Sequence, residues 1–182
     1  ISEKIHLLKF DDNLFKKWDI CQNLHLKLLK KNNLKFFSNS IKQILNNKTI
    51  DISIISLILT LPSYKTYQNN LSNYDPLDLY KLRNNYLIKF YKNFEDELYY
   101  LFKNSLEKFY TNNDLKIRSL LKVLLEALCA LDNEFANNIA EKFCSSEIME
   151  IKMMGLISCI KYNNLNSIKL LTKFYNEFKN DK

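Results

Sequence analysis

Apolar residues recur at intervals of three and four along most of this chain, the spacing that places them on one face of an α-helix. Residues that commonly begin or end helices separate these periodic stretches. The pattern predicts a succession of helices over approximately residues 14–31, 34–45, 51–61, 63–71, 76–111, 114–131, 133–143, 146–161 and 165–179. No stretch alternates apolar and polar residues in the way that is typical of a β-strand.

Five helix starts are marked by capping residues. Asp and Asn in residues 11–13 can cap the first helix, Thr49 or Asp51 the third, and Ser63 the fourth. Proline disfavours helical geometry in the residue before it, so the third helix is predicted to end at Pro62. Asp114 is expected to cap the helix that follows residue 113, and Asp132 or Asn133 the next.

The sharpest helix start is Asp75 followed by Pro76, because Asp is a favoured N-cap and proline at the first helical position loses no hydrogen bond. No proline or glycine interrupts residues 77–111. The pattern therefore predicts one long helix near residues 76–111, about 50 Å in length. Its expected core residues are Tyr80, Leu87, Phe90, Phe94, Leu98, Leu101 and Phe109.

The fold class follows from the helices and the short connections between them. The chain of 182 residues has one glycine and two prolines, too few for many hairpins or phosphate-binding loops. Short connections place successive helices antiparallel to each other. We predict an all-α protein whose antiparallel helices stack as a solenoid-like α-superhelix. Residues 1–182 are expected to form a single domain or the first part of a larger helical domain.

Net charge does not by itself indicate a nucleic-acid partner. The formal net charge is +7, but Lys residues are scattered among 20 acidic residues, and Arg83 and Arg118 are the only arginines. Nucleic-acid surfaces usually carry a clustered patch that is rich in arginine. A Lys-rich nucleic-acid binder is therefore the weakest of the functions considered, and a membrane partner is not expected because no apolar stretch is long enough to span a bilayer.

The four cysteines, Cys21, Cys129, Cys144 and Cys159, are widely spaced in apolar helical contexts. Free cysteine behaves there as a small buried apolar residue, which suits a reducing compartment such as the cytoplasm. Cys21 and His25 lie four residues apart on one helical face, but zinc requires three or four ligands and no third is evident. The expected alternative is a buried cysteine beside a half-exposed histidine.

Candidate catalytic groups are few. The two histidines, His6 and His25, lie in no recognisable nucleophile motif. Glu95, Asp96 and Glu97 are adjacent, but successive helical residues point about 100° apart, so a solvated helix face is expected rather than a carboxylate pair. The sequence indicates no catalytic, metal-binding or cofactor-binding residue.

Five short segments resemble, in order, the helical domain of M1-family zinc aminopeptidases of the alanyl aminopeptidase (aminopeptidase N) type. Residues 15–22, which include Trp18 and Gln22, resemble its Phe-x-Arg-Trp-(Asp/Glu)-x-x-Gln segment, and residues 59–63 are similar to its Leu-Thr-Leu-Pro-Ser. The remaining matches are its Asp-Pro-x6-Arg, Tyr-x-Asn and Arg-x-Leu. The residues that carry these motifs and are expected to be structural are Trp18, Gln22, Pro62, Ser63, Asp75, Pro76, Arg83 and Arg118; Tyr110 and Asn112 complete the resemblance.

The resemblance implies a non-catalytic domain that closes over a zinc-bearing catalytic domain and controls the entry of peptides. In that family the zinc and the peptide amino end are held by motifs elsewhere in the chain, so zinc belongs to the parent enzyme and not to this segment. The expected partners are the catalytic domain of the same enzyme and the peptides that pass through its chamber. Trp18 is expected to be buried near the start of the domain. The alternative is an independent α-superhelical module that binds protein partners on its concave face.

Overall fold

The computed structural model describes residues 2–11, 13–29, 34–47, 50–71, 74–112, 114–162 and 166–180. These residues form helices and connecting segments and contain no strand. The helices are α1 (Ser2–Phe10), α2 (Leu14–Leu28), α3 (Lys35–Leu45), α4 (Ile52–Leu59), α5 (Tyr64–Asn70), α6 (Pro76–Lys92), α7 (Glu95–Thr111), α8 (Leu115–Ala130), α9 (Glu134–Phe143), α10 (Met149–Lys161) and α11 (Ser167–Phe178). The predicted all-α class is confirmed.

Most predicted caps are present. Side-chain oxygens of Asn13, Asp51, Ser63, Asp75 and Asn133 each accept a hydrogen bond from a backbone N–H in the first turn of the helix that follows. The Asp114 carboxylate accepts one from the N–H of Lys116 at 3.0 Å. Such bonds satisfy N–H groups that have no partner within the helix. The predicted ends of three helices at Lys31, Thr49 and Leu165 fall outside the described residues.

Helix α1 has no counterpart among the sequence-based predictions. Its apolar residues are interleaved with charged ones and only Leu8 is fully buried, so periodicity did not reveal it. Helix α1 packs against α2 and α3. Tertiary packing, more than local periodicity, therefore stabilises it.

The predicted long helix near residues 76–111 is wrong, because the chain forms two helices, α6 and α7, with a break at Asn93 and Phe94. The Asn93 side-chain amide donates to the carbonyl of Lys89 at 2.6 Å. The N–H of Phe94 reaches back only three residues, to Tyr91, and its backbone leaves helical geometry at φ −144°, ψ 37°. Three of the expected core residues differ as well: Tyr80 is exposed, and Leu101 and Phe109 are half-buried.

The chain divides into two compact units, residues 1–124 and residues 125–182. In the first unit, α2 packs against α4, α5 against α6, and α6 against α7. Its core contains a cluster of large aromatic residues, in which the Phe90 ring contacts the rings of Phe37, Tyr91 and Phe94.

In the second unit, α10 packs against both α9 and α11. The only glycine of the chain, Gly155, lies inside α10, where a Cβ atom would be 2.4 Å from the carbonyl oxygen of Ala140. The absence of a side chain thus allows the two helix backbones to come close together. Within the described part of the chain, no helix combines the length and the apolar character needed to cross a bilayer.

Candidate functional site

The residues of the family motifs converge on the segment that joins α4 to α5, residues 59–63, which we call the α4–α5 connection. The Gln22 side chain, on α2, donates a hydrogen bond to the carbonyl of Thr60 at 2.8 Å. Arg83, on α6, donates from Nη2 to the carbonyl of Pro62 at 3.2 Å. Residues that are far apart in sequence therefore hold one short stretch of backbone from two helices.

A tyrosine completes these contacts. The Tyr91 hydroxyl, on α6, donates to the carbonyl of Leu59 at 2.9 Å in a buried position. Leu59 and Thr60 end α4, where carbonyls have lost their partners within the helix, and Pro62 has no N–H to offer to the backbone. Side-chain donors therefore supply the hydrogen bonds that this non-helical stretch cannot make by itself. Sequence reasoning missed Tyr91, because nothing in its local pattern separates it from other core aromatic residues.

The start of α6 lies beside the same connection. Pro76 occupies the first helical turn and Asp75 caps it, with Oδ1 2.8 Å from the N–H of Leu77. The Tyr64 hydroxyl, at the start of α5, donates to the carbonyl of Pro76 at 2.8 Å. Tyr64, the residue that follows the Leu-Thr-Leu-Pro-Ser segment, thus contacts the Asp-Pro segment directly.

Arg83 also interacts with an aromatic ring. Its guanidinium carbon lies 5.7 Å from the centre of the Tyr67 ring, within the range of a cation–π interaction. Burial raises the pKa of the Tyr67 hydroxyl, although the charge of Arg83 opposes that effect. The side chain of Arg83 therefore bridges the α4–α5 connection and the buried face of α5.

Two of the predicted motif residues lie elsewhere. Trp18 is half-buried and its ring lies 5.5 Å from the ring of exposed Phe15, so the expectation that it would be buried is wrong. Residues 15 and 18 are one turn apart in α2, and their rings meet at an interplanar angle of 42°. Arg118 is half-buried in α8, where its backbone N–H donates to the carbonyl of Asp114 at 3.0 Å.

Cys21 and His25 lie on one face of α2, but both are fully buried, so the expectation of a half-exposed histidine is also wrong. A hydrogen bond of 2.8 Å joins His25 Nδ1 to the Tyr86 hydroxyl. Burial, reinforced by the charge of Arg83, lowers the pKa of His25 to about 3. Burial raises the pKa of the Cys21 thiol. Both side chains are therefore uncharged at neutral pH.

The side chains of this arrangement bind and position the backbone. In the ranges that the structure describes, no group of three or more His, Cys, Asp or Glu side chains is placed to hold a metal ion. Glu95, Asp96 and Glu97 occupy the first turn of α7, and Glu97 forms an ion pair with Lys42 at 2.7 Å. Acidic side chains at this position are stabilised by the positive end of the helix dipole. The donors of the α4–α5 connection fix backbone carbonyls in place.

The fold defines an all-α protein of stacked helices. Side-chain hydrogen bonds to backbone carbonyls hold the connection between two of them, α4 and α5. The chain belongs, over residues 1–182, to the family described as "Domain of unknown function (DUF3458_C) ARM repeats". ARM repeats stack helices into a superhelix, so the predicted fold class is confirmed.

Two known proteins support the resemblance to aminopeptidases. The chain is 30% identical to aminopeptidase N of Haemophilus influenzae in an 86-residue alignment that covers 41% of this chain and 10% of that protein. The crystal structure of Legionella pneumophila aminopeptidase A in complex with aspartic acid matches 99% of this chain with a TM-score of 0.77 at 18% identity. The chain covers 23% of that structure, so it spans a quarter or less of the length of either relative. The sequence-based recognition of an aminopeptidase helical domain is confirmed.

Proposed function

We propose that these residues are the non-catalytic helical domain of an M1-type zinc aminopeptidase, whose parent enzyme releases N-terminal amino acids from peptides. The observation that carries this proposal is the family match over residues 1–182. The similarity in fold to an aminopeptidase over 99% of the chain supports it. We assign no catalytic, metal-binding or cofactor-binding role to residues of this segment, and zinc is held by the catalytic domain of the parent.

Within the parent, the proposed role is to shape and gate the chamber that holds the active site. A wall of such a chamber must keep its loops in place while peptides enter and leave. Side-chain bonds to the carbonyls of Leu59, Thr60 and Pro62 support this role, because they hold a connection that would otherwise have unpaired backbone groups. The catalytic domain of the same enzyme and peptide substrates are the proposed partners, with no role for nucleic acid or a membrane.

The motif residues are proposed to be structural determinants of this domain. Gln22, Arg83, Pro62 and Ser63 form or contact the α4–α5 connection, while Asp75 and Pro76 begin the helix that carries Arg83. For Trp18 and Arg118 we propose a packing role. Residues 1–182 are taken as one all-α domain or as the first part of a larger helical domain. We propose a cytoplasmic location, which the four free cysteines support.

The first test is the full-length reading frame that encodes these residues. The proposal expects a His-Glu-x-x-His motif and a Gly-x-Met-Glu-Asn motif upstream in the same frame, and a protein that hydrolyses aminoacyl substrates and loses activity with a chelator. A reading frame with neither motif would favour an independent α-superhelical interaction module instead.

The gating role needs a separate measurement on the full-length enzyme. Backbone hydrogen exchange would be followed with and without a slowly hydrolysed peptide analogue. A chamber wall predicts that peptides from residues 1–182 gain protection along with the catalytic domain, and more strongly for a long analogue than for a single-residue one. Protection confined to the catalytic domain would contradict gating while leaving the assignment to an aminopeptidase intact.

A further inference from the structure

Two cysteines of the second unit are brought together by the close approach of α9 and α10. At Gly155 an added Cβ would lie 2.8 Å from the backbone nitrogen of Cys144, so the end of α9 runs directly against α10. Residues four apart lie on the same face of a helix, one above the other. Cys159 follows Gly155 by four residues and therefore projects from α10 on the side where Cys144 lies.

The two thiols interact with each other. The Cys144 thiol donates to the carbonyl of Ala140 at 3.3 Å, and Cys159 lies close enough to Cys144 for each thiol to influence the pKa of the other. Cys144 caps the C-terminal end of α9, and neither residue is in a disulfide. Two free thiols fifteen positions apart in sequence are thus placed side by side by the fold.

The environments of the two thiols differ. Cys159 is only 1% exposed, whereas Cys144 is half-buried and lines a crevice between α10 and α11. Lys152 and Lys173 line the same crevice, as does Glu177, which is paired with Lys152. An accessible thiol near lysine ammonium groups has the setting of a reactive cysteine.

The interaction between the two thiols, together with burial, favours ionisation of Cys144 over ionisation of Cys159. The interaction with Cys159 lowers the pKa of Cys144, with a smaller effect from Lys173, while burial and the charge of Glu141 oppose it. The interaction with Cys144 and burial raise the pKa of Cys159. Cys144 is therefore the thiol that reacts first, and Cys159 is protected until its neighbour has reacted.

We propose that Cys144 and Cys159 form a redox-active pair, which a low-molecular-weight disulfide such as glutathione disulfide converts into an intramolecular disulfide between α9 and α10. The Cys144 thiolate attacks one sulfur of glutathione disulfide, forming a mixed disulfide and releasing one glutathione thiolate. Cys159 then attacks the Cys144 sulfur and passes its proton to the departing glutathione thiolate, which releases the second glutathione. Two protein thiols are oxidised and one glutathione disulfide is reduced to two glutathiones.

Thiol mapping of the folded chain tests the proposal. The protein would be incubated with glutathione disulfide, the remaining thiols blocked with N-ethylmaleimide, and the peptides identified by mass spectrometry. The proposal expects Cys144 and Cys159 to lose maleimide labelling together, to appear as a linked peptide pair without bound glutathione, and to recover their thiols with dithiothreitol.

Single variants separate the two roles. Cys159→Ser is expected to leave glutathione bound to Cys144, because no second thiol can displace it. Cys144→Ser is expected to leave Cys159 unmodified in the folded protein, and Cys21→Ser serves as a control that leaves the linked pair unchanged. Circular dichroism would establish that each variant is folded.

Three outcomes would overturn the proposal. The first is a wild-type protein in which Cys144 retains glutathione as stably as it does in Cys159→Ser. The second is linkage of Cys159 to Cys129, whose thiol also lies close enough to influence Cys159. The third is full maleimide labelling of both cysteines, once the protein is unfolded for labelling, after prolonged incubation with glutathione disulfide.

Discussion

At the scale of single residues, His25 links the stability of the first unit to pH. It is fully buried between aromatic rings and its pKa is lowered from 6.5 to about 3. Protonation therefore favours the unfolded chain, in which the histidine keeps its ordinary pKa. Its contribution to stability is complete above pH 6.5 and is lost as the pH falls toward 3.

The free energy of unfolding is expected to fall by roughly 1.4 kcal/mol for each pH unit below 6.5 because of this one group. Urea unfolding at a series of pH values between 7.5 and 5 measures this change in the free energy of unfolding, because most carboxylates titrate below that range. In His25→Gln, which cannot ionise, this dependence should disappear, whereas His6→Gln, at an exposed position, should retain it. An equal pH slope in wild type and His25→Gln would contradict the assignment.

Gly155 is a second residue whose role is decided by its surroundings. Alanine is usually the better helix former by about 1 kcal/mol. An alanine methyl group at position 155 would lie 2.4 Å from the Ala140 carbonyl oxygen and 2.8 Å from the Cys144 nitrogen. Both are backbone atoms, so relieving the clash requires the two helices to shift. The close approach outweighs helix propensity.

We therefore expect Gly155→Ala to destabilise the protein by about 3 kcal/mol, measured by chemical denaturation. Ile157→Ala, at an exposed position of the same helix, is the matched control and should cost about 1 kcal/mol or less. A Gly155→Ala variant as stable as wild type would mean that α9 and α10 are farther apart than the structure places them.

At the scale of helices, the break between α6 and α7 shows how a helix ends without proline or glycine. The Asn93 side chain competes for the carbonyls of Lys89 and Phe90, which the helix would otherwise use. Phe94 is 1% exposed and the centre of its ring lies 4.9 Å from that of Phe90, so burial of this side chain favours the break in the helix. The acidic residues 95–97 then lie at the N-terminal end of α7, where the helix dipole favours them.

The cap of α6 can be tested directly, since Asp75 accepts hydrogen bonds from the N–H groups of Leu77 and Asp78. Asp75→Ala removes that acceptor and is expected to lower the free energy of unfolding by about 1 kcal/mol. Asp75→Asn keeps a side-chain oxygen at the same place and should restore most of the loss. If the two variants proved equally unstable, the cap hydrogen bond would not be the cause.

At the scale of the whole molecule, the family match and the proposed parent enzyme make a prediction about zinc. The isolated 182-residue chain is expected to bind no stoichiometric zinc and to cleave no aminoacyl substrate, because the proposed catalytic motifs lie outside it. Metal analysis after dialysis and an aminoacyl hydrolysis assay measure this. Robust chelator-sensitive hydrolysis by a clean preparation would overturn the proposed function.

The second unit leaves an apolar surface on its last helix. Helix α11 has no fully buried residue, and Ile168, Leu171 and Tyr175 are exposed at helical spacing, Ile168 at 81%. Among the described residues, α11 packs most extensively against α10. In repeat architectures each helix pair contacts its neighbours only, so one open apolar face is expected on any unit considered alone.

The sequence by itself determined the helical class, most helix boundaries and the relation to aminopeptidases. Helical periodicity and N-caps are local, and Asn13, Asp51, Ser63 and Asp75 act on backbone groups two or three residues away. Of the motif residues, Ser63, Asp75 and Pro76 occupy such local positions at the starts of helices.

Only the tertiary structure decided the interactions between distant residues. Gln22, Arg83 and Tyr91 contact carbonyls that are between 21 and 38 positions away, and His25 is neutral because residues from α3 and α6 surround it. The proximity of Cys144 to Cys159 and the need for glycine at position 155 depend on how closely α9 and α10 pack. Periodicity identifies the face of a helix that is buried, but the partner of that face is set by the packing of the whole unit.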